Sequence, residues 1–146
     1  MFVVKSWEEL SKEELYAVLE LRQQIFVVEQ CCPFVDNDGL DQHSLHLWSE
    51  NEEGKVISYG RIVPPGTEFK ELSIGRFVTH PSERGKGIGR RLVAVVLEEA
   101  FRWKGRQPVR ITAQWYLRDF YSSFGFEVDG EEFMLDHIPH QEMVLK

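Results

Sequence analysis

The chain has 146 residues, 42% hydrophobic and 28% charged, with a formal net charge of −7 and a pI near 5.3. That length suits a single domain over residues 1–146, one that buries roughly 70% of the surface its unfolded chain exposes. The acidity excludes a general nucleic-acid binder, which needs a broad basic face, and no apolar run is long enough to cross a bilayer.

The N-terminal "MFVVKSWEEL" reaches acidic residues without a long apolar segment. It is not a secretory signal, and the expected location is the cytoplasm. "FVV" (Phe2 to Val4) reads as a first strand. Ser11 with Glu14 forms a capping box. Apolar residues then recur at Leu15, Val18, Leu19, Ile25 and Phe26, with Arg22 interrupting them, so a helix is expected to about Val28. "EQCCPFVDNDGLDQHS" is loop with at most one helical turn. "HLWSE" and "VISYGRIV" read as strands around "NEEGK", and "LSIGRFVT" as a third strand, apolar enough for the sheet interior.

Leu92, Val93, Val96, Leu97, Ala100 and Phe101 mark a helix ending near Lys104 and Gly105. "VRITAQ" is a strand, "YLRDFYSSF" a short helix stopped by Gly125, and "FEVDG" and "HQEMVLK" final strands. Antiparallel neighbours around one β-α-β crossover predict an α/β fold with a mixed sheet.

The two cysteines, Cys31 and Cys32, are adjacent. Neighbouring cysteines cannot staple a fold and lack zinc-site spacing, so they read as two reduced, partly buried thiols. His137 and His140 lie three apart, but Pro139 between them argues against a helical metal pair. The aspartates of "VDNDGLD" lack the ligands of a calcium loop. No metal site is expected.

The most informative stretch is "HPSERGKGIGRRL", between a buried strand and a helix. Gly85, Gly87 and Gly89 alternate there with Arg84, Lys86, Ile88, Arg90 and Arg91. The first N–H groups of a helix have no internal partner, and the helix dipole adds positive potential. Glycines let the preceding backbone curl into an anion nest. Together these features describe a diphosphate site. A Walker A loop fails because Gly85-Lys86 is followed by Gly87. A dinucleotide fingerprint fails because the third glycine is missing. The pattern R-x-x-G-x-G fits, with Arg84, Gly87 and Gly89.

That pattern resembles the coenzyme A loop of the GCN5-related N-acetyltransferases (GNAT). "FVTHPSERGKGIGRRL" carries the strand, proline, arginine and glycines in register, and "FYSSFGF" looks like the family's last helix, with Tyr121 four residues before Gly125. "LRQQIFVVEQCCPFVDNDGLD" and "HIPHQEM" are similar to the ElaA-like subgroup, with Cys32, Pro33, Asp36, Asp38 and His140 at matching positions.

The resemblance implies a mostly antiparallel twisted sheet flanked by helices, the acyl-CoA N-acyltransferase fold. It implies acetyl-CoA as co-substrate, with its diphosphate on Arg84, Gly85, Lys86, Gly87, Ile88, Gly89 and Arg90. The pantetheine arm would pair with the backbone of Phe77, Val78 and Thr79. An N–H near Val78 would face the developing oxyanion, and Tyr121 would protonate the leaving thiolate. The acceptor would be a primary amine on a small molecule or peptide. Glu29, His46 and His140 are the candidate bases, and Asp36 and Asp38 a candidate anionic rim for a cationic amine, against the plainer reading of a solvated turn. A non-catalytic acyl-CoA-binding module or sensor is the alternative, and a homodimer is left open.

Overall fold

The computed structural model describes residues 2–146. In chain order it contains β1 (Phe2–Ser6), α1 (Lys12–Gln23), β2 (Leu45–Glu50), β3 (Val56–Val63), β4 (Leu72–Thr79), α2 (Ile88–Lys104), β5 (Val109–Gln114), α3 (Arg118–Ser122), β6 (Glu127–Val128), β7 (Phe133–Leu135) and β8 (Ile138–Leu145). The strands form one sheet in the order β1-β2-β3-β4-β5-β8-β6, with β7 also on β8. Every pairing is antiparallel except β4 with β5, the strands flanking the α2 crossover. The mixed α/β sheet expected from the element order is therefore present. No helix among the described residues is long and apolar enough to cross a membrane.

The first helix begins as its sequence dictates. Glu14 N–H donates to Ser11 Oγ at 3.0 Å, and Ser11 N–H donates to Glu14 Oε1 at 2.9 Å. Helical structure continues to Glu29, but from Gln24 onward it is a π-helical turn. The bonds there reach back five residues, from Gln30 N to Ile25 O at 3.0 Å and from Cys32 N to Val27 O at 3.1 Å. Such wide turns shift the register of the residues that follow. Cys31, at φ +53°, ends the run in the left-handed conformation just before Pro33.

The strand β7 departs from the sequence reading, and β8 begins two residues earlier than expected, at Ile138. They are joined by Asp136 and His137, at φ +51° and +65°. Two consecutive left-handed residues make a tight hairpin, a geometry usually signalled by Asn-Gly. Asp-His gives no such signal, and β7 has only three residues.

The sheet is packed on both faces. One face meets α2 through Leu47, Ile62, Leu72, Leu92, Val93, Val96, Ala100, Val109, Ile111 and Met143. The other meets α1 and its π turn through Val18, Leu21, Ile25, Trp48, Tyr59 and Val78. The strand β3 is buried along its whole length. Gly60 on that strand lies under α2. A Cβ there would stand 2.9 Å from Val96 Cγ2 and 3.0 Å from Phe77 Cε1.

Gly60→Ala is therefore an overpacking substitution. It is expected to cost about 1–3 kcal/mol of stability. Urea unfolding would show this as a lower midpoint at unchanged slope.

Candidate functional site

The site begins as a defect in the sheet. Strands β4 and β5 run parallel, yet they pair only at Leu72 with Val109 and Ser73 with Arg110. Beyond Ser73 the two strands part. On its other edge β4 bulges: Tyr59 faces Val78 and Arg61 faces Gly75, so Arg76 and Phe77 together oppose Gly60. A bulge bends its strand and increases the local twist. Arg76 takes the extra turn at φ +54°, a left-handed conformation that costs an L-residue about 1–2 kcal/mol. The gap opens into a cleft of about 710 Å³. Its lining includes Ile74 to Thr79 of β4, Ile111 and Thr112 of β5, the glycine-rich loop, Tyr121, and the hairpin residues Asp136 and His140.

The glycine-rich loop forms one wall. Gly85 and Gly87 are left-handed, at φ +82° and +76°. A Cβ placed on Gly85, Gly87 or Gly89 would meet no atom within 4 Å, so the space over this backbone is open. The first helical bond of α2 is Arg91 N to Gly87 O, at 3.2 Å. This leaves the N–H groups of Ile88, Gly89 and Arg90 ahead of it without intrahelical acceptors. A 17-residue helix ends its positive pole there. The guanidinium of Arg90 lies over the rings of Phe120 and Phe124, 5.3 and 5.1 Å from their centroids, and donates to Ser123 Oγ at 3.0 Å. Arg84 donates to Thr79 O at 3.3 Å and to Glu29 Oε1 at 2.7 Å. Lys86 is turned toward Glu83, at 3.3 Å, and does not line the cleft. Open glycines, free N–H groups and fixed guanidinium groups together fit a diphosphate.

Tyr121 sits further in. It is buried, with Phe77, Phe120 and Phe126 packed around its ring. Burial, with a smaller contribution from Tyr116, pushes its phenol well above the ordinary value, so it stays protonated and able to donate. His140, also buried, lines the same cleft. Its Nδ1 lies 2.7 Å from Ile138 O. A carbonyl can only accept, so Nδ1 carries the proton and Nε2 of the neutral ring is left as an acceptor.

The structure thus brings Glu29, Asp36, Phe77, Val78, Thr79, Arg84, Gly85, Gly87, Ile88, Gly89, Arg90, Tyr121 and His140 to one cleft. His46 is not among them. It is fully buried in β2, receives a bond from Tyr59 O–H at 2.6 Å and donates to Asp41 O at 2.9 Å. Burial lowers its pKa, and with both nitrogens engaged it is a structural group rather than a base.

The aspartate loop also differs from the expected anionic rim. Arg22 meets Asp36 at 2.7 Å and Asp41 at 2.8 Å. Arg61 meets Asp41 at 2.9 Å and Asp38 at 2.7 Å. Arg76 meets Asp36 at 2.9 Å and Asp38 at 3.3 Å. Each carboxylate bridges two guanidinium groups and each guanidinium two carboxylates, which closes a ring of no net charge. Buried charges are tolerated only when paired, and Arg22 and Arg61 are buried. Asp36 and Asp38 are therefore spent on arginines. The three arginines are the residues that sequence reading missed, and Asp41, the third aspartate of "VDNDGLD", likewise serves the ring rather than a solvated turn or rim. The available signal was Arg22 itself, a cation at a core position of the helix repeat.

Cys31 and Cys32 are unpaired thiols, the first exposed rather than partly buried. Cys32 lies at the cleft wall, 3.6 Å from Asp136 O.

The ring sets an acid limit on stability. Burial alone would raise the Asp38 carboxyl, but hydrogen bonds and charge from Arg61 outweigh it and bring its pKa from 3.8 to about 2. A lowered folded-state pKa contributes stability that is present above the unfolded value and lost as pH falls through the folded one. The shift corresponds to about 2 kcal/mol. Urea unfolding between pH 5 and pH 2 is expected to lose at least that amount, and Asp38→Asn to give a lower, flatter profile over the same interval.

Comparison with known proteins agrees with this geometry. A family profile described as "Acetyltransferase (GNAT) domain" matches residues 8–146. A UPF0039 protein of Synechocystis is 36% identical over 144 residues, covering 97% of this chain and 94% of the relative. The crystal structure of an acyl-CoA N-acyltransferase from Pseudomonas aeruginosa superposes with a TM-score of 0.95 at 35% identity, covering 100% of this chain and 99% of that one. Escherichia coli ElaA superposes with a TM-score of 0.93 at 33% identity, covering 100% and 99%. The cleft, its glycine-rich loop and these relatives lead to one conclusion: the chain belongs to the GNAT acetyltransferase family, on its ElaA-like branch.

Proposed function

We propose that the chain transfers an acetyl group from acetyl-CoA to a primary amine of a small molecule or peptide, by direct attack of the amine on the thioester. The observation that carries this reading is the parting of β4 and β5, with an anion nest at one end of the gap and a proton donor and a proton acceptor beside it.

The N–H groups of Ile88, Gly89 and Arg90, with the guanidinium groups of Arg84 and Arg90, hold the diphosphate. The backbone of Phe77, Val78 and Thr79 lies on the edge of β4 that β5 has left, and holds the extended arm as a further strand would. The Val78 N–H faces the thioester oxygen as negative charge develops there. His140 Nε2 accepts the proton of the amine, directly or through a water, while the Nδ1 bond to Ile138 fixes the ring. Tyr121 donates its proton to the departing sulfur. Glu29, at the end of the π turn, pairs with Arg84 at the diphosphate end of the cleft and orients its guanidinium. A non-catalytic acyl-CoA-binding module would need the nest but neither Tyr121 nor His140.

The test follows free thiol release from acetyl-CoA across primary amines, polyamines, aminoglycosides and peptide N-termini. Turnover with one class is expected, and binding of acetyl-CoA without turnover on any would favour the module. Tyr121→Phe is expected to keep acetyl-CoA affinity within about twofold and to lower kcat by roughly a hundredfold, the scale of a positioned proton donor. His140→Gln is expected to lower kcat by a similar factor. Wild-type turnover in either variant would remove that residue from the reaction.

A further inference from the structure

We infer that Arg76 is a positioning residue, whose clamp on the aspartate loop holds the β4 bulge in the shape that aims the Phe77–Val78 backbone into the cleft. The inference rests on the acyl-transfer reading above. Something must keep β4 and β5 apart beyond their two paired positions. The β4–β5 ladder stops at Ser73, and the β3–β4 ladder skips Arg76 and Phe77. The backbone of those two residues therefore gets no ladder support from either neighbour. A strand residue left to itself returns to extended conformation, and Arg76 stands at φ +54° instead.

The side chain of Arg76 supplies the missing restraint. Its Nη2 donates to Asp36 O at 3.1 Å and to Asp38 Oδ2 at 3.3 Å, and Nε lies 2.9 Å from Asp36 Oδ1. Two hydrogen bonds from Nη2 and an ion-pair contact at Nε tie this guanidinium to one loop. That loop is anchored in turn, Asp36 to Arg22 of α1 and Asp38 to Arg61 of β3. The bulge is thus held through the aspartate loop by α1, outside the sheet, and by the neighbouring strand β3. Arg76 and Asp36 also line the cleft, so the ring's open arc is part of its wall. Whatever moves the aspartate loop moves the bulge.

The experiment compares Arg76→Lys, Arg76→Ala and Arg76→Gly with the wild type. The Arg76 side chain is 31% exposed, so its loss spares the buried core. Lysine keeps the charge and loses the fork. Alanine loses both and keeps the backbone strain. Glycine loses both but accepts a left-handed φ freely. Two readouts are used: backbone amide resonances of Phe77, Val78 and Thr79 without ligand, and acetyl transfer per folded molecule with acetyl-CoA binding measured alongside.

Lysine and alanine are expected to move those amide resonances and to lower kcat about tenfold or more, the cost of misplacing a reacting group, with acceptor KM changed less than about twofold. Glycine is expected to recover part of the loss. If the resonances and kcat of all three variants stay at wild-type values, Arg76 is only a surface ion-pair partner and the inference is wrong. If alanine fails to fold, lysine and glycine decide by the same two readouts. A wild-type chain that binds no acetyl-CoA would overturn the functional reading and this inference with it. Normal wild-type binding and turnover beside unaffected variants would overturn this inference alone.

Discussion

Three arginines and three aspartates close a ring between α1, β3, β4 and the loop that follows α1, and the shape of the cleft depends on it. The ring ties α1 through Arg22, β3 through Arg61 and β4 through Arg76 to one loop, from Asp36 to Asp41. Arg22, Arg61 and Asp41 were brought out of water, so none of these three can be removed without stranding a buried partner. Its geometry is not ideal. Arg22 Nη2, Arg61 Nε and Arg76 Nε are buried without a well-aligned acceptor. Replacing such a cluster by apolar side chains often stabilises a protein. What the ring contributes here is position: it fixes a loop that has only a 3-10 turn at its end and, through it, a bulge that no ladder supports.

The bulge in turn governs the gap. A parallel pair that stayed together to the ends of β4 and β5 would leave no backbone free for a ligand. Because the strands part after two pairs, the edge of β4 faces the cleft, and the start of α2 stands at its mouth. The nest then needs only glycines at left-handed φ and a helix that begins on time. Both are local properties of "RGKGIGRRL". The chain's net acidity is no obstacle, because the cations concentrate where the helix dipole already points.

The parts of this arrangement that the sequence reveals are the local ones. The capping box at Ser11, the apolar stripe of α2 and the alternating glycines are each contained within a few residues, and each stands where it was expected. The parts that sequence reading lost depend on contacts between distant segments. Asp36 and Asp38 look like a solvated, anionic loop until Arg22, Arg61 and Arg76 are folded against them from three other elements. Yet cations inside "VISYGRIV" and "LSIGRFVT", two otherwise apolar strands, and at a core position of α1, were signs that buried partners had to exist. His46 looked like a base because its two partners, Tyr59 O–H and the Asp41 carbonyl, lie outside its own segment. Strand β7 was hidden by its shortness and by a turn of Asp-His in place of a glycine turn.

On the proposed reading, the β4 edge and the glycine-rich loop form one acyl-CoA site. The most direct measurement is an acetyl-CoA titration followed by backbone amide shifts, with ATP and NAD titrated in parallel. Saturable shifts from acetyl-CoA are expected, largest at Phe77–Thr79 and Gly85–Arg90, with weaker binding of both nucleotides. Shifts confined to another part of the surface, or a preference for a nucleotide over acetyl-CoA, would contradict that reading.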